Sequence, residues 1–249
     1  LQSKSLFELF PSEFTEGKKN MLINGLVWMG EEQFMKTQIE EKLAQGFSCI
    51  KLKIGAIDFD KELGLLRFIR QNFDAKTIEI RVDANGAFNS NEALSKLNQL
   101  NEFELHSIEQ PIKANQIQEM KLLCHQTPFP IALDEELIGV FETEDKRKLL
   151  EEIQPQYIIL KPSLVGGFKG TLEWISIAES LNIGWWITSA LESNIGLNAI
   201  TQFTFTLNNP MPQGLGTGGL YTNNFDCPLQ IENGHIQYNV DKQWGISNL

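Results

Sequence analysis

Six charged side chains recur along the chain at a nearly constant spacing: Lys53, with Lys51 two residues before it, then Asp83, Glu109, Asp134 and Lys161. From Lys53 onward the separations are 30, 26, 25 and 27 residues. Three carboxylates brought to one place make a hard, oxygen-rich site. The 3 histidines (His106, His125, His235) and 3 cysteines (Cys49, Cys124, Cys227) are scattered, so such a site favours Mg²⁺ over zinc, with Mn²⁺ as its substitute. Waters and a substrate carboxylate would complete the octahedron. Lysines at both ends of the series would face a bound substrate from two sides. That combination suits removal of a proton beside a carboxylate, because a divalent metal and an ammonium stabilise the dianionic enediolate that results. A lysine base has to be neutral, so its pKa must fall below the reference of about 10.4. Burial and neighbouring cations push it that way. Lys53 is the expected base, and Lys51 the expected contact to the substrate carboxylate and depressor of the Lys53 pKa.

Taken singly, each residue has a plainer reading. A K-x-K strand is usually a solvated face, Asp83 in D-A-N-G is a turn residue, Glu109 ends a strand and Asp134 caps the next element. The plain readings do not account for the common phase, and the elements that must carry these residues explain it. Short apolar, β-branched or aromatic runs begin near Leu22, Cys49, Ile78, Leu105, Pro130, Gln156, Gly184 and Met211, at intervals of 27, 29, 27, 25, 26, 28 and 27 residues. Helical stretches are expected between them over 31–45, 58–72, 90–100, 115–126, 143–153, 168–181 and 193–207, and none after the eighth run. The first should turn Phe34, Gln38, Ile39 and Leu43 to one face, the second Phe59, Leu63, Leu66 and Ile69. Strands and helices alternating at this even spacing predict an α/β fold, a (β/α)7β TIM-like barrel, with an open doubly wound sheet as the alternative. In such a barrel the C-terminal strand ends ring one mouth, so the spaced charges converge there. Period-two alternation agrees: Lys51 and Lys53 share one strand face, and Arg81, Asp83 and Asn85 share another.

Composition narrows the function classes. Lys plus Arg is 21 and Asp plus Glu 32, a net charge of −11, which argues against nucleic acid or an anionic membrane as a partner. The lone basic run, Lys146-Arg147-Lys148, sits among acids and reads as a solvated helix face. The cysteines form no C-x-x-C pair, which suits a reducing, cytoplasmic setting, and no apolar run approaches the roughly 18–20 residues of a membrane span. A small-molecule carboxylate is the expected partner, and an oligomer is left open.

The segments K-L-K (51–53), V-D-A-N (82–85), I-E-Q-P (108–111), L-D-E (133–135) and I-L-K-P (159–162) together resemble the muconate-lactonising branch of the enolase superfamily, from about Leu22 to Tyr221. Within that branch, Thr188 to Ile200 (TSALESNIGLNAI) and Gln213 to Gly218 (QGLGTG) are most similar to the o-succinylbenzoate synthase family of menaquinone biosynthesis. The resemblance implies Mg²⁺-assisted syn dehydration of 2-succinyl-6-hydroxy-2,4-cyclohexadiene-1-carboxylate to 2-succinylbenzoate. It implies Lys53 as the base that also helps hydroxide leave, Asp83, Glu109 and Asp134 as metal ligands, and Lys161 as the cation over the opposite face. Asn85, Ser189, Gly214 and Gly216 are the implied substrate contacts. Paired lysines also leave open N-acylamino acid racemisation, dipeptide epimerisation and muconate cycloisomerisation, and a metal-binding barrel without turnover is a further alternative.

Members of that branch carry an α+β capping domain of roughly a hundred residues before the barrel, whereas about 20 residues precede the first strand here. The chain also lacks an initiating Met. The expected organisation is therefore residues 1–20 as a remnant before the barrel, 21–222 as the catalytic barrel, and 223–249 as the segment that would complete the missing cap. Gly214–Gly219 (GLGTGG) mimics a dinucleotide fingerprint but lacks a following helix and the ribose-binding acid. Val165-Gly166-Gly167 could meet an anion or form a plain strand-to-helix turn.

Overall fold

A computed structural model describes residues 7–245 of the chain. Its strands are β1 (Met21–Leu22), β2 (Gly25–Val27), β3 (Cys49–Lys53), β4 (Glu79–Asp83), β5 (Ser107–Glu109), β6 (Ile131–Leu133), β7 (Tyr157–Leu160), β8 (Gly184–Ile187), β9 (Leu229–Glu232) and β10 (His235–Tyr238). The helices are α1 (Glu32–Ala44), α2 (Phe59–Asn72), α3 (Ser90–Leu100), α4 (Ile117–Gln126), α5 (Thr143–Ile153), α6 (Gly167–Ser180) and α7 (Asn194–Thr206). Strands β2 to β8 form one parallel sheet in chain order, each joined to the next by a helix. Side-chain caps mark two of the helix starts. The Asp58 side chain accepts from the Asp60 N–H ahead of α2, and Asn89 and Glu92 form a reciprocal capping box at α3.

The expected eighth strand shrinks to two residues. Gln213 bridges Ile23 and Gly214 bridges Thr188, both in parallel sense, so this pair joins the end of β8 to the segment that leads into β2. The backbone bonds run in both directions: Gln213 donates to Leu22 O and Gly214 to Ile187 O, while Asn24 donates to Gln213 O. Seven strands plus this link give eight positions around a TIM-like barrel. The first apolar run is split between two sheets. Met21–Leu22 pairs antiparallel with β10, which pairs with β9, and only Gly25–Val27 joins the barrel sheet. Asn233 and Gly234, with φ of 49° and 69°, make the tight turn between β9 and β10.

Barrel strands are buried on both faces, and the apolar residues of β3 to β8 pack with Leu66, Leu97, Leu150 and Trp174 of the helices into one continuous core. A second, inner cluster joins Ala132, Ile159 and Trp186. Arg81, on the same strand face as Asp83, lies with its guanidinium 4.2 Å from the Trp186 ring centroid. It donates to Glu79 Oε1 at 2.7 Å and to Pro212 O at 2.9 Å, tying the inner wall to the short eighth position.

Two expectations fail. Phe34 is 55% exposed and Met35 is buried in its place, although Ile39 is buried, Leu43 packs on the core and Gln38 holds the backbone of Trp28 as that face requires. Lys146 is not on a solvated face: it is 1% exposed, 2.6 Å from Glu173 across the α5–α6 contact. Leu9, Phe10 and Phe14 meet α7: the Gln202 side chain accepts from the Leu9 and Phe10 N–H, and the Phe14 ring centroid lies 5.5 Å from that of Phe205. Among the described residues no helix is long and apolar enough to cross a membrane.

Candidate active site

Register brings the spaced charges together. Lys53 pairs with Asp83 across β3–β4, and Asp83 with Glu109 across β4–β5. Glu109 is level with Ala132 of β6, so Asp134 lies two residues beyond the pair, and Lys161 follows β7 directly. Counted around the barrel, β3 is the second position and β7 the sixth, four apart in a ring of eight. Lys53 and Lys161 therefore stand on strands across a diameter, with the three carboxylates on the strands between.

All three carboxylates are buried: Asp83 is 0% exposed, Asp134 1% and Glu109 2%. Lysine ammoniums meet each of them. Lys51 Nζ contacts Asp83 Oδ2 at 2.9 Å and also Glu109 Oε2, Lys53 Nζ contacts Asp83 Oδ2 at 2.8 Å, and Lys161 Nζ contacts Asp134 Oδ2. Burial works to discharge these groups, but the neighbouring charges dominate at most of them. Burial would lower Lys51, yet Asp83 and Glu109 hold it above its ordinary value, and Asp134 and Glu109 do the same for Lys161. Asp83 is raised by burial and lowered more strongly by Lys51 and Lys53, which leaves it below the usual carboxylate range. Glu109 goes the other way: burial and then the Asp83 charge push it well above. Each carboxylate rests against an ammonium, and among the described residues no three acidic, thiol or imidazole side chains converge as a metal set.

Above the carboxylates lies a cleft of about 250 Å³ lined by Lys51, Lys53, Lys161, Ser189, Gly214 and Gly216 among others. Ser189 Oγ is 2.6 Å from Thr217 Oγ1, and the Ser189 N–H donates to Gly214 O. Gly214 has no room for a side chain, since an added Cβ would lie 2.6 Å from Thr188 Cβ. Asn85 is outside the cleft lining. With φ of 43°, it turns back beneath Lys53, accepting from Lys53 Nζ at 2.6 Å and donating its N–H to Asp83 Oδ1. A larger recess, about 600 Å³, opens beside α1 and the β9–β10 turn, away from the lysines, and shares Asn24, Leu26, Trp28, Gly216 and Thr217 with the cleft.

Several residues here escaped the strand-phase reading, which selects one group per strand end. Trp28 stands 6.0 Å from Lys53 Nζ, its N–H and C=O both held by the Gln38 side-chain amide. Gln110 is fully buried and its Oε1 accepts from the N–H of Asp134, orienting that loop. Glu136 accepts from the Asn115 N–H and ties the β6 end to the β5 loop. Glu135 accepts from Asn85 Nδ2 at 2.9 Å. The second acid of L-D-E was its only signal.

Comparison with known proteins defines the class. The family model for enolase C-terminal domain-like proteins matches residues 35–247, and the chain belongs to that family. Among individual proteins, it is 57% identical over 227 residues to the o-succinylbenzoate synthase of Desulfotalea psychrophila, covering 91% of this chain and 61% of that one. It is also 29% identical to the L-Ala-D/L-Glu epimerase of Francisella tularensis subsp. novicida, over 75% of this chain and 52% of the epimerase. The crystal structure of MenC from Desulfotalea psychrophila superposes with a TM-score of 0.87 at 54% identity, over 93% of this chain and 64% of that chain. The chain thus spans under two thirds of the length of each.

Proposed function

We propose that this chain is the catalytic barrel of an o-succinylbenzoate synthase, acting on 2-succinyl-6-hydroxy-2,4-cyclohexadiene-1-carboxylate. The observation that carries the reading is the pair of lysines on opposed strands, Lys53 and Lys161, lining one cleft above three buried carboxylates. The 57% identity supports the choice of substrate. Asp83, Glu109 and Asp134 would hold a divalent cation, Mg²⁺ with Mn²⁺ as its substitute. Two features favour such a charge: Glu109 Oε1 is buried without a hydrogen-bond partner, and burial together with neighbouring carboxylates raises its pKa. When bound, the cation supplies positive charge to the substrate carboxylate as the adjacent carbon loses its proton.

The remaining work falls to the side chains. Lys53 Nζ takes the proton from the ring carbon that bears the carboxylate. The C–O bond on the neighbouring carbon then breaks, and the Lys53 ammonium returns the proton to the departing oxygen on the same face. Water leaves and the ring becomes aromatic. Lys161, across the barrel, places positive charge over the opposite face, and Lys51 meets the carboxylate side of the substrate. Ser189, Gly214 and Gly216 line the approach, and Asn85 acts from below. On the same reading residues 21–222 are the barrel, 223–249 complete a capping domain, 1–20 lead into it, and the enzyme is cytoplasmic.

The test is incubation of the purified chain with Mg²⁺ and the cyclohexadiene substrate. 2-Succinylbenzoate should appear, and Lys53→Ala should reduce its formation by about 10²-fold or more, the range for a positioned acid–base group. Deuterium entering the α-carbon of a dipeptide or acylamino acid without any dehydration would replace this reading with an epimerase or racemase.

A further inference from the structure

We propose that Glu135 is a positioning residue for the reaction, acting through Asn85 to fix the place of Lys53. The inference rests on the proposed role of Lys53 as the base, and its geometry is independent of substrate. Lys53 Nζ donates to Asn85 Oδ1 at 2.6 Å, and Asn85 Nδ2 donates to Glu135 Oε1 at 2.9 Å. The direction of this chain follows from donor chemistry. While Lys53 rests as an ammonium against Asp83 it has only donors, and the Glu135 carboxylate has only acceptors, so in that resting state the Asn85 amide stands between them in one orientation alone. Glu135 thereby locks the amide oxygen toward Lys53.

The link joins three strand ends: β3 through Lys53, the turn after β4 through Asn85 and the turn after β6 through Glu135. The Asn85 backbone is set in the left-handed region at φ 43°, and its N–H is bound to Asp83 Oδ1 at 3.0 Å, so its side chain has only χ rotations left to fix. Without an acceptor at residue 135, the amide is free to turn its NH₂ toward the Lys53 ammonium, where two donors repel. The lysine would then swing from its place on Asp83. Misplacement of a reacting group by about 1 Å costs on the order of 10²-fold in rate.

Two variants separate this role from others. Glu135→Met removes the acceptor, whereas Glu135→Gln keeps an oxygen for Asn85 Nδ2 and loses only the charge. Glu135→Met should lower kcat by about tenfold or more with KM changed less than about twofold, and Glu135→Gln should recover most of it. Mg²⁺ affinity by calorimetry should stay within about twofold in both. A readout without turnover accompanies these: the Asn85 side-chain ¹⁵NH₂ signals should be slow to exchange with solvent in the parent and in Glu135→Gln, and fast in Glu135→Met. Equal kcat in Glu135→Met and the parent overturns the proposal. So does a Gln variant as impaired as Met, or a loss traced to metal affinity. If the parent does not catalyse the dehydration, the reaction assignment falls, while the amide signals still decide whether Glu135 orients Asn85.

Discussion

Removing Lys51 should unbalance the carboxylates more than any other single change at the site. Lys51→Met keeps most of the bulk and deletes an ammonium that touches both Asp83 and Glu109. Breaking a buried ion pair from one side costs about 3–5 kcal/mol, because the remaining charge stays buried and unpaired. Asp83 retains Lys53 at 2.8 Å, so the loss falls mainly on Glu109 and the lower end, about 3 kcal/mol, applies. With a urea dependence of about 3 kcal/mol per molar, the unfolding midpoint at pH 7 should drop by about 1 M in chelator-treated buffer. The pH dependence has a definite sign. Burial and Asp83 raise the Glu109 pKa above its ordinary value of 4.5, so the native state holds that proton more tightly than the unfolded chain. Stability from such a group is present at low pH and lost as pH rises from 4.5 through the raised value. Lys51→Met raises it further, so the deficit should shrink as pH falls through the raised value toward 4.5, by at most about 1.4 kcal/mol per pH unit for one proton. An unchanged midpoint at pH 7, or a deficit that stays constant over that interval, would refute this balance of charges.

Gly214→Ala forces a Cβ to within 2.6 Å of Thr188 Cβ and should cost about 1–3 kcal/mol, read as a fall in Tm of roughly 2–4 °C per kcal/mol. The Lys146–Glu173 pair should respond unequally to its two deletions. Glu173 keeps 28% side-chain exposure, so Lys146→Met leaves no buried charge and should shift stability by less than about 1 kcal/mol, whereas Glu173→Leu strands the buried ammonium at about 3 kcal/mol. Urea unfolding of the two variants in parallel decides between this asymmetry and an equal cost.

The strand beat was legible because each strand must present its charge at one end or bury it at a cost, and that constraint repeats with the βα unit. Helices α3 and α5 begin and end where the pattern predicts: a capping box starts α3, whereas α5 has no side-chain cap bond and follows from helical periodicity alone. What depends on distant partners was hidden. Nothing near Lys146 in the sequence announces Glu173, which lies 27 residues on. The eighth strand is reduced to Gln213–Gly214 by its two neighbours, and Met21–Leu22 is claimed by a tail strand more than two hundred residues away. At the site, phase told which residues reach the mouth, but not that each carboxylate would rest against a lysine. Glu135 and Glu136 were hidden for another reason: both lie just past the strand end, where turn geometry rather than alternation directs the side chain.

The diameter drawn by Lys53 and Lys161 divides the barrel into two arcs. One carries Asp83, Glu109 and Asp134 and is packed solid beneath the lysines. The other, running from β8 through Gln213–Gly214 to β2, contributes Ser189, Gly214, Asn24 and Trp28 to the open side of the cleft. On the proposed assignment, proton chemistry resides in the first arc and the shape of the substrate is read by the second. The two could then change separately: a lineage could exchange one carboxylate substrate for another by altering the open arc, without disturbing a single charge in the closed one.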